Sequence, residues 1–189
     1  MDTCTKDYLE RILRLKPEFS EGLQGLAYSS GRSGLSPRLV VQALDLTQKI
    51  LRGTYRYSNG EEQIVLEDGK YVKINFSSSG QQECVWILNL LFYYLVQQKE
   101  ILFIIEEPES HLFPESQKYI TELIALVNNC GHSIVLTTHS PYVLGTLNNL
   151  LYAKTISPQA RKEANKIIRE SLWLDYNAFD SWFVKNWNN

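Results

Sequence analysis

Two adjacent carboxylates, Glu106 and Glu107, follow directly on the apolar run Ile101-Leu-Phe-Ile-Ile105. Ions are costly to take out of water, so a pair at the end of a core-type run calls for a solvent-facing edge or a cation. Ligands of open α/β sheets bind just outside the carboxyl ends of the strands. Two acids at such an edge have the oxygen chemistry to hold Mg²⁺ and to position a water. A second apolar run, Ser133-Ile-Val-Leu-Thr-Thr138, ends in an imidazole, His139. Upstream, Ser77-Ser78-Ser79-Gly80-Gln81-Gln82 places hydroxyls and a glycine at a helix start, where free amides attract anions. Taken singly, the acid pair reads as an acidic turn, and the serine-glycine stretch reads as a well-capped helix.

The elements around these residues place them relative to one another. Five apolar residues without alternation predict a strand at 101–105 buried on both faces of a parallel sheet. Pro114 opens a helix to about Asn129, stopped by Gly131, and the strand ending at His139 follows. Strand, helix, strand is a βαβ unit, so the two strands should be parallel with a right-handed crossover. Glu107 and His139 then share one sheet edge. Ser140-Pro141 caps a further helix through Leu147.

Upstream, helical spacing over 6–15 and again from Ser36-Pro37 to Gly53 predicts two helices, with Ser36 as cap and a Gly/Ser-rich loop between them from Phe19. Strands at 54–57, 63–67 and 71–76, broken by Asn59-Gly60 and Asp68-Gly69, predict an antiparallel meander. A long helix then runs from the serine-glycine stretch to about Lys99, with Ser78 and Gln81 at capping-box spacing. The tail predicts a helix from about Pro158 to Glu170 and a last strand at Trp182–Val184.

A length of 189 residues suits one domain, and 44% apolar content fills a core. The expected division is a helical segment to residue 53, a meander at 54–76, and the remainder at 77–189. Net charge −2 gives no global basic field of the kind that marks a dedicated nucleic-acid binder. Cys4, Cys84 and Cys130 are scattered and odd in number, which fits a reducing compartment better than disulfides or structural zinc. No apolar run reaches membrane-spanning length, so a cytoplasmic location without membrane contact is expected. His132, just before the second strand, reads as a solvated end residue.

The combination of Ser78-Ser79-Gly80-Gln81-Gln82, the run Leu102–Pro114 and Thr137-Thr138-His139-Ser140-Pro141 resembles the ABC-type ATPases. Within them it is most similar to the SMC-, RecF- and OLD-like branch. The three stretches match the signature motif, Walker B with the D-loop, and the switch histidine of that family. The resemblance implies a partial P-loop NTPase fold of the α/β class, with ATP and Mg²⁺ as ligands and DNA metabolism or phage defence as setting. Carried over, Glu106 takes the Mg²⁺ position, usually Asp in the wider family, and Glu107 is the base that orients the attacking water. His139 contacts the γ-phosphate. Ser78, Ser79, Gly80 and Gln81 bind a nucleotide held by the opposing protomer. His111 is equally a structural or interface residue.

The chain contains no Gly-x-x-x-x-Gly-Lys-[Ser/Thr] cradle for phosphates; Gly25 and Gly31 are one residue too far apart. The resemblance therefore covers about residues 36–189, the C-terminal part of a head. The expected partner is a second copy or a second polypeptide supplying that cradle, with DNA contact left open. The isolated chain is expected to hydrolyse little or no ATP. Two other readings stand beside this one: a non-catalytic dimerisation or interaction module, and a metal-dependent nuclease using Glu106, Glu107, Glu109 and His111.

Overall fold

A computed structural model describes residues 3–29 and 34–183. Helix α1 (Thr3–Leu15) and a short 3-10 turn (Lys16–Phe19) lead into α2 (Gly22–Ser29) and α3 (Pro37–Leu51). Strands β1 (Thr54–Ser58), β2 (Glu61–Val65) and β3 (Tyr71–Lys73) form an antiparallel meander in that order. Helix α4 (Ser79–Gln97), strand β4 (Leu102–Glu106), helix α5 (Pro114–Asn129) and strand β5 (Ser133–Thr137) follow. Helices α6 (Pro141–Thr155) and α7 (Arg161–Ile167) come next, followed by two 3-10 turns (Glu170–Leu172 and Tyr176–Ala178). This is an α/β protein with a parallel two-stranded sheet flanked by helices, beside a small antiparallel meander: a partial P-loop fold.

Strands β4 and β5 pair in parallel, Glu106 opposite Thr137, as the βαβ reading requires. The expectation of a strand buried on both faces is corrected. Phe103, Ile105, Ile134 and Leu136 face the core, but Leu102 and Ile104 are 59% and 73% exposed, and Val135 52%. These three lie in register on the open face of the sheet. An apolar run reports that a strand could be covered on both sides; it carries no information on what does the covering.

The core is a contiguous cluster in which α4 contributes Leu88, Leu91, Phe92 and Leu95, all essentially inaccessible. Burying each such side chain contributes roughly 1.5–3 kcal/mol of transfer free energy. Helix α5 adds Ile120, Leu123, Leu126 and Val127, and α3 adds Leu46, Ile50 and Leu51. Trp86 anchors the meander: with Phe19 and Tyr55 it forms an edge-to-face trio at centroid distances of 5.7–5.8 Å. Glu62 accepts from Trp86 Nε1 at 2.8 Å, Tyr55 Oη at 2.9 Å and Lys16 Nζ at 2.8 Å, tying β2 to α4 and the first turn. Burial, then the Glu62 charge, pushes the Tyr55 phenol up.

Four further expectations are corrected. The Gly/Ser-rich stretch after Phe19 holds α2, because Leu23 and Leu26 pack into the core and override weak propensity; residues 30–33 of that stretch lie outside the described residues. Ser36 makes no side-chain cap, so α3 starts on Pro37 alone. Residues 74–76 wind into a 3-10 turn instead of extending β3. In the tail, Trp182 and Phe183 form no strand, and Val184 lies outside the described residues. What holds the tail is Trp173, buried and donating from Nε1 to the Ile168 carbonyl at 2.9 Å. Asn129 of α5 donates to the carbonyls of Ser171 and Trp173. Cys84 and Cys130 are unbridged, and among the described residues no helix is long and apolar enough to cross a membrane.

Candidate functional site

Parallel pairing carries both strands to one edge, and the residues that follow them meet there. Past Glu106 the ladder continues for one residue: Glu107 N–H donates to the Thr137 carbonyl at 3.1 Å and to its hydroxyl at 3.3 Å. Glu107 itself sits at φ 42, in the left-handed region that a non-glycine residue enters at a cost. Its carboxylate stands 3.3 Å from His139 Nε2 and accepts from Ser110 Oγ at 3.3 Å. The pair is solvent-facing, with the His139 side chain 88% and that of Glu107 48% exposed. An acid and an imidazole in contact at an open edge can hold and pass a proton around a bound water. Glu106, also exposed, ends β4 beside Thr137.

The turn after β4 is built from overlapping hydrogen bonds, Ser110 N–H to the Glu107 carbonyl and Leu112 N–H to the Glu109 carbonyl, both 3.0 Å. Glu109 is buried and reaches across to the exit of β5. One of its oxygens accepts from the Thr138 hydroxyl and from His139 N–H at 3.1 Å. Gln117 makes a second bridge, donating to the Leu112 carbonyl at 2.8 Å and accepting from Ser140 Oγ, which also caps α6. Neither role could be read from the sequence, where Glu109 figured as part of the D-loop match and as a candidate metal ligand, and Gln117 carried no signal.

The serine-glycine stretch lies against the same turn. Ser78 and Gln81 close a full capping box, as their spacing suggested. Gln81 also donates from Nε2 to the Leu51 carbonyl at 2.6 Å, so its amide is engaged at both ends by the chain itself. Gly80 is buried, and a β-carbon there would meet the His111 carbonyl oxygen at 2.5 Å. Its bare face therefore admits the chain's own turn, where a ligand was expected. His111, at φ 56, holds Glu83 of α4 through Nδ1 at 2.9 Å. That leaves exposed Ser78 and Ser79 and the leading amides of α4 as the groups open to solvent.

His132 is not a solvated end residue. It is buried beside Phe103 with Nδ1 unpartnered, and burial pulls its imidazole below the ordinary value, against the Glu100 charge.

The model of the AAA ATPase domain family matches residues 8–144, from α1 to the start of α6, taking in Ser78–Gln81, Glu106, Glu107 and His139. The chain belongs to the AAA ATPase domain family. It is also similar to the cytochrome c biogenesis ATP-binding export protein CcmA of Bartonella quintana (strain Toulouse), 31% identical over 98 residues. That match covers 52% of this chain and 45% of the relative, so the chain spans less than half the length of the curated protein it matches. No solved structure matches it. The chain is thus an ATPase-type domain of the P-loop class.

Among the described residues of this AAA ATPase domain, no three His, Cys, Asp or Glu side chains cluster to hold a metal. Mg²⁺ does not require such a cage, because it takes one or two carboxylates and fills its octahedron with water and phosphate oxygen. The single exposed carboxylate of Glu106 fits that donor set.

Proposed function

We propose that the chain is the signature-bearing half of an ABC-type ATPase head of the SMC-, RecF- and OLD-like branch, acting on ATP. The observation that carries this reading is the Glu107–His139 contact of 3.3 Å at the carboxyl edge of paired parallel strands. Glu107 orients the attacking water and accepts its proton. His139 contacts the γ-phosphate and shares that proton. Phosphoryl transfer asks little more of a protein than such positioning and charge compensation. Glu106 would hold Mg²⁺, which when bound would neutralise charge on the transferred group. Ser78, Ser79 and the first amides of α4 receive the γ-phosphate of a nucleotide on an opposing protomer. Gly80 and Gln81 set that helix start in place from behind.

The organisation we propose is a helical segment to residue 53, the meander at 54–76, and the catalytic part at 77–189. The phosphate cradle comes from outside these 189 residues, because they contain no Gly-x-x-x-x-Gly-Lys-[Ser/Thr]. The open face of β4 and β5, with Leu102, Ile104 and Val135, suits pairing with the element that brings it. Alone, the chain should hydrolyse ATP barely above background. Addition of a polypeptide carrying that cradle should restore hydrolysis, and Glu107→Gln should lower it by on the order of 10²–10⁴-fold, the span of general-base effects. Turnover by the isolated chain, or restored turnover indifferent to Glu107→Gln, would overturn the reading.

The same apolar face favours one second reading, a non-catalytic interaction module. Specific nucleotide binding raises the melting temperature by mass action. A chain whose melting is unmoved by ATP with Mg²⁺, both alone and with its partner, is a module of that kind.

A further inference from the structure

Glu109 is a carboxylate where a packed turn would be cheaper with an apolar residue. It is 7% exposed, and its Oε2 is buried without a partner. An ion so placed is costly unless its bonds accomplish something. Its Oε1 takes two donors, both from the exit of β5: the Thr138 hydroxyl and the His139 backbone N–H at 3.1 Å. Thr138 Oγ in turn accepts from Ser140 N–H at 3.0 Å, so one carboxylate oxygen organises three successive residues. The His139 ring is 88% exposed and is not held by packing. Its backbone is the part that can be fixed, and Glu109 is bonded to it.

We propose that Glu109 is the positioning residue of His139, setting the turn after β5 so that the ring stands against Glu107. Glu107 and Glu109 leave β4 on one short turn, and each contacts the segment that ends in His139. The distance between acid and imidazole is therefore set from both sides of the turn. This rests on Glu107 and His139 being the functional pair. Its test requires neither nucleotide nor hydrolysis, so it can fail while that reading stands, or hold where that reading fails.

The experiment is NMR on the isotope-labelled chain. It reads the nuclear Overhauser cross-peak between the His139 ring protons and the Glu107 side-chain protons, with overall fold monitored by the amide spectrum. Glu109→Ala should abolish the cross-peak in a chain that is still folded, and should move the His139 amide proton upfield as its carboxylate acceptor is lost. Glu109→Gln keeps an acceptor oxygen in the same place and should retain the cross-peak. A cross-peak that survives Glu109→Ala overturns the proposal, and so does its loss in the Gln and Ala variants alike. If Glu109→Ala does not fold, Thr138→Val decides: weakening of the cross-peak supports the proposal, and an unchanged one overturns it.

Discussion

The α-carbon of Gly80 faces the carbonyl oxygen of His111 so closely that a β-carbon would lie 2.5 Å from it. The start of α4 and the turn after β4 are thus packed backbone to backbone. His111 reinforces the contact by holding Glu83, although that exposed pair contributes little on its own. One short turn therefore touches the serine-glycine helix start at His111 and the exit of β5 at Glu109.

Gly80→Ala should consequently destabilise the fold by about 1–3 kcal/mol, the usual cost of overpacking against groups that cannot move aside. The comparison is Glu83→Gln, which alters only this exposed side-chain contact and should cost under about 1 kcal/mol. Urea denaturation of both variants checks the order. Equal losses would mean the turn yields freely.

Ser78 stabilises α4 whatever else it binds. Ser78→Ala removes the acceptor for Gln81 N–H and should cost about 1 kcal/mol of stability, measured by thermal or chemical melting without nucleotide. An unchanged melting curve would free Ser78 from its capping role.

How far the sequence disclosed these relations depends on their range. The Asp68-Gly69 and Asn59-Gly60 turns, the Ser78–Gln81 box and the Pro114 and Pro141 helix starts follow from neighbours a few residues apart, and all form. The meeting of Glu107 with His139 was also legible, because a βαβ unit dictates which strand ends share an edge. The contacts of Gly80 with His111 and of Glu109 with Thr138 span about thirty residues through a turn whose path no periodicity encodes. Exposure of Leu102, Ile104 and Val135 was hidden for another reason: an apolar run is the same whether or not something covers its second face.

That open face makes a prediction about solution behaviour. Its three apolar side chains in register should drive self-association or low solubility, as exposed apolar patches do. Ile104→Glu with Val135→Lys should yield a monodisperse monomer by light scattering. Both positions are exposed, so the melting temperature should hardly change. A wild-type chain that is already monomeric at high concentration contradicts this.

The stability of the chain should fall on mild acidification through His132. Burial pulls its folded-state value below the ordinary 6.5, so the unfolded chain takes up the proton first as pH drops. This contribution is fully present above the unfolded value and is lost as pH falls through the lowered folded one. Between about pH 7.5 and about pH 5.5, wild type should therefore lose more stability than His132→Phe, which fills the site beside Phe103 without a titrating group. Parallel denaturation curves for the two proteins would show that the ring is not buried neutral.

The most direct test of the catalytic edge is paramagnetic broadening of the labelled chain by Mn²⁺ with ATP, which detects even weak occupancy. If Glu106 holds the metal of a nucleotide lying against the Glu107–His139 pair, the amides of these residues and their neighbours in the two strand-end turns should broaden selectively. Glu106→Gln should weaken that broadening, and Mn²⁺ without ATP should not reproduce it. Broadening spread evenly over the surface, concentrated elsewhere, or identical with and without nucleotide would contradict the assignment of Glu106, Glu107 and His139 to ATP.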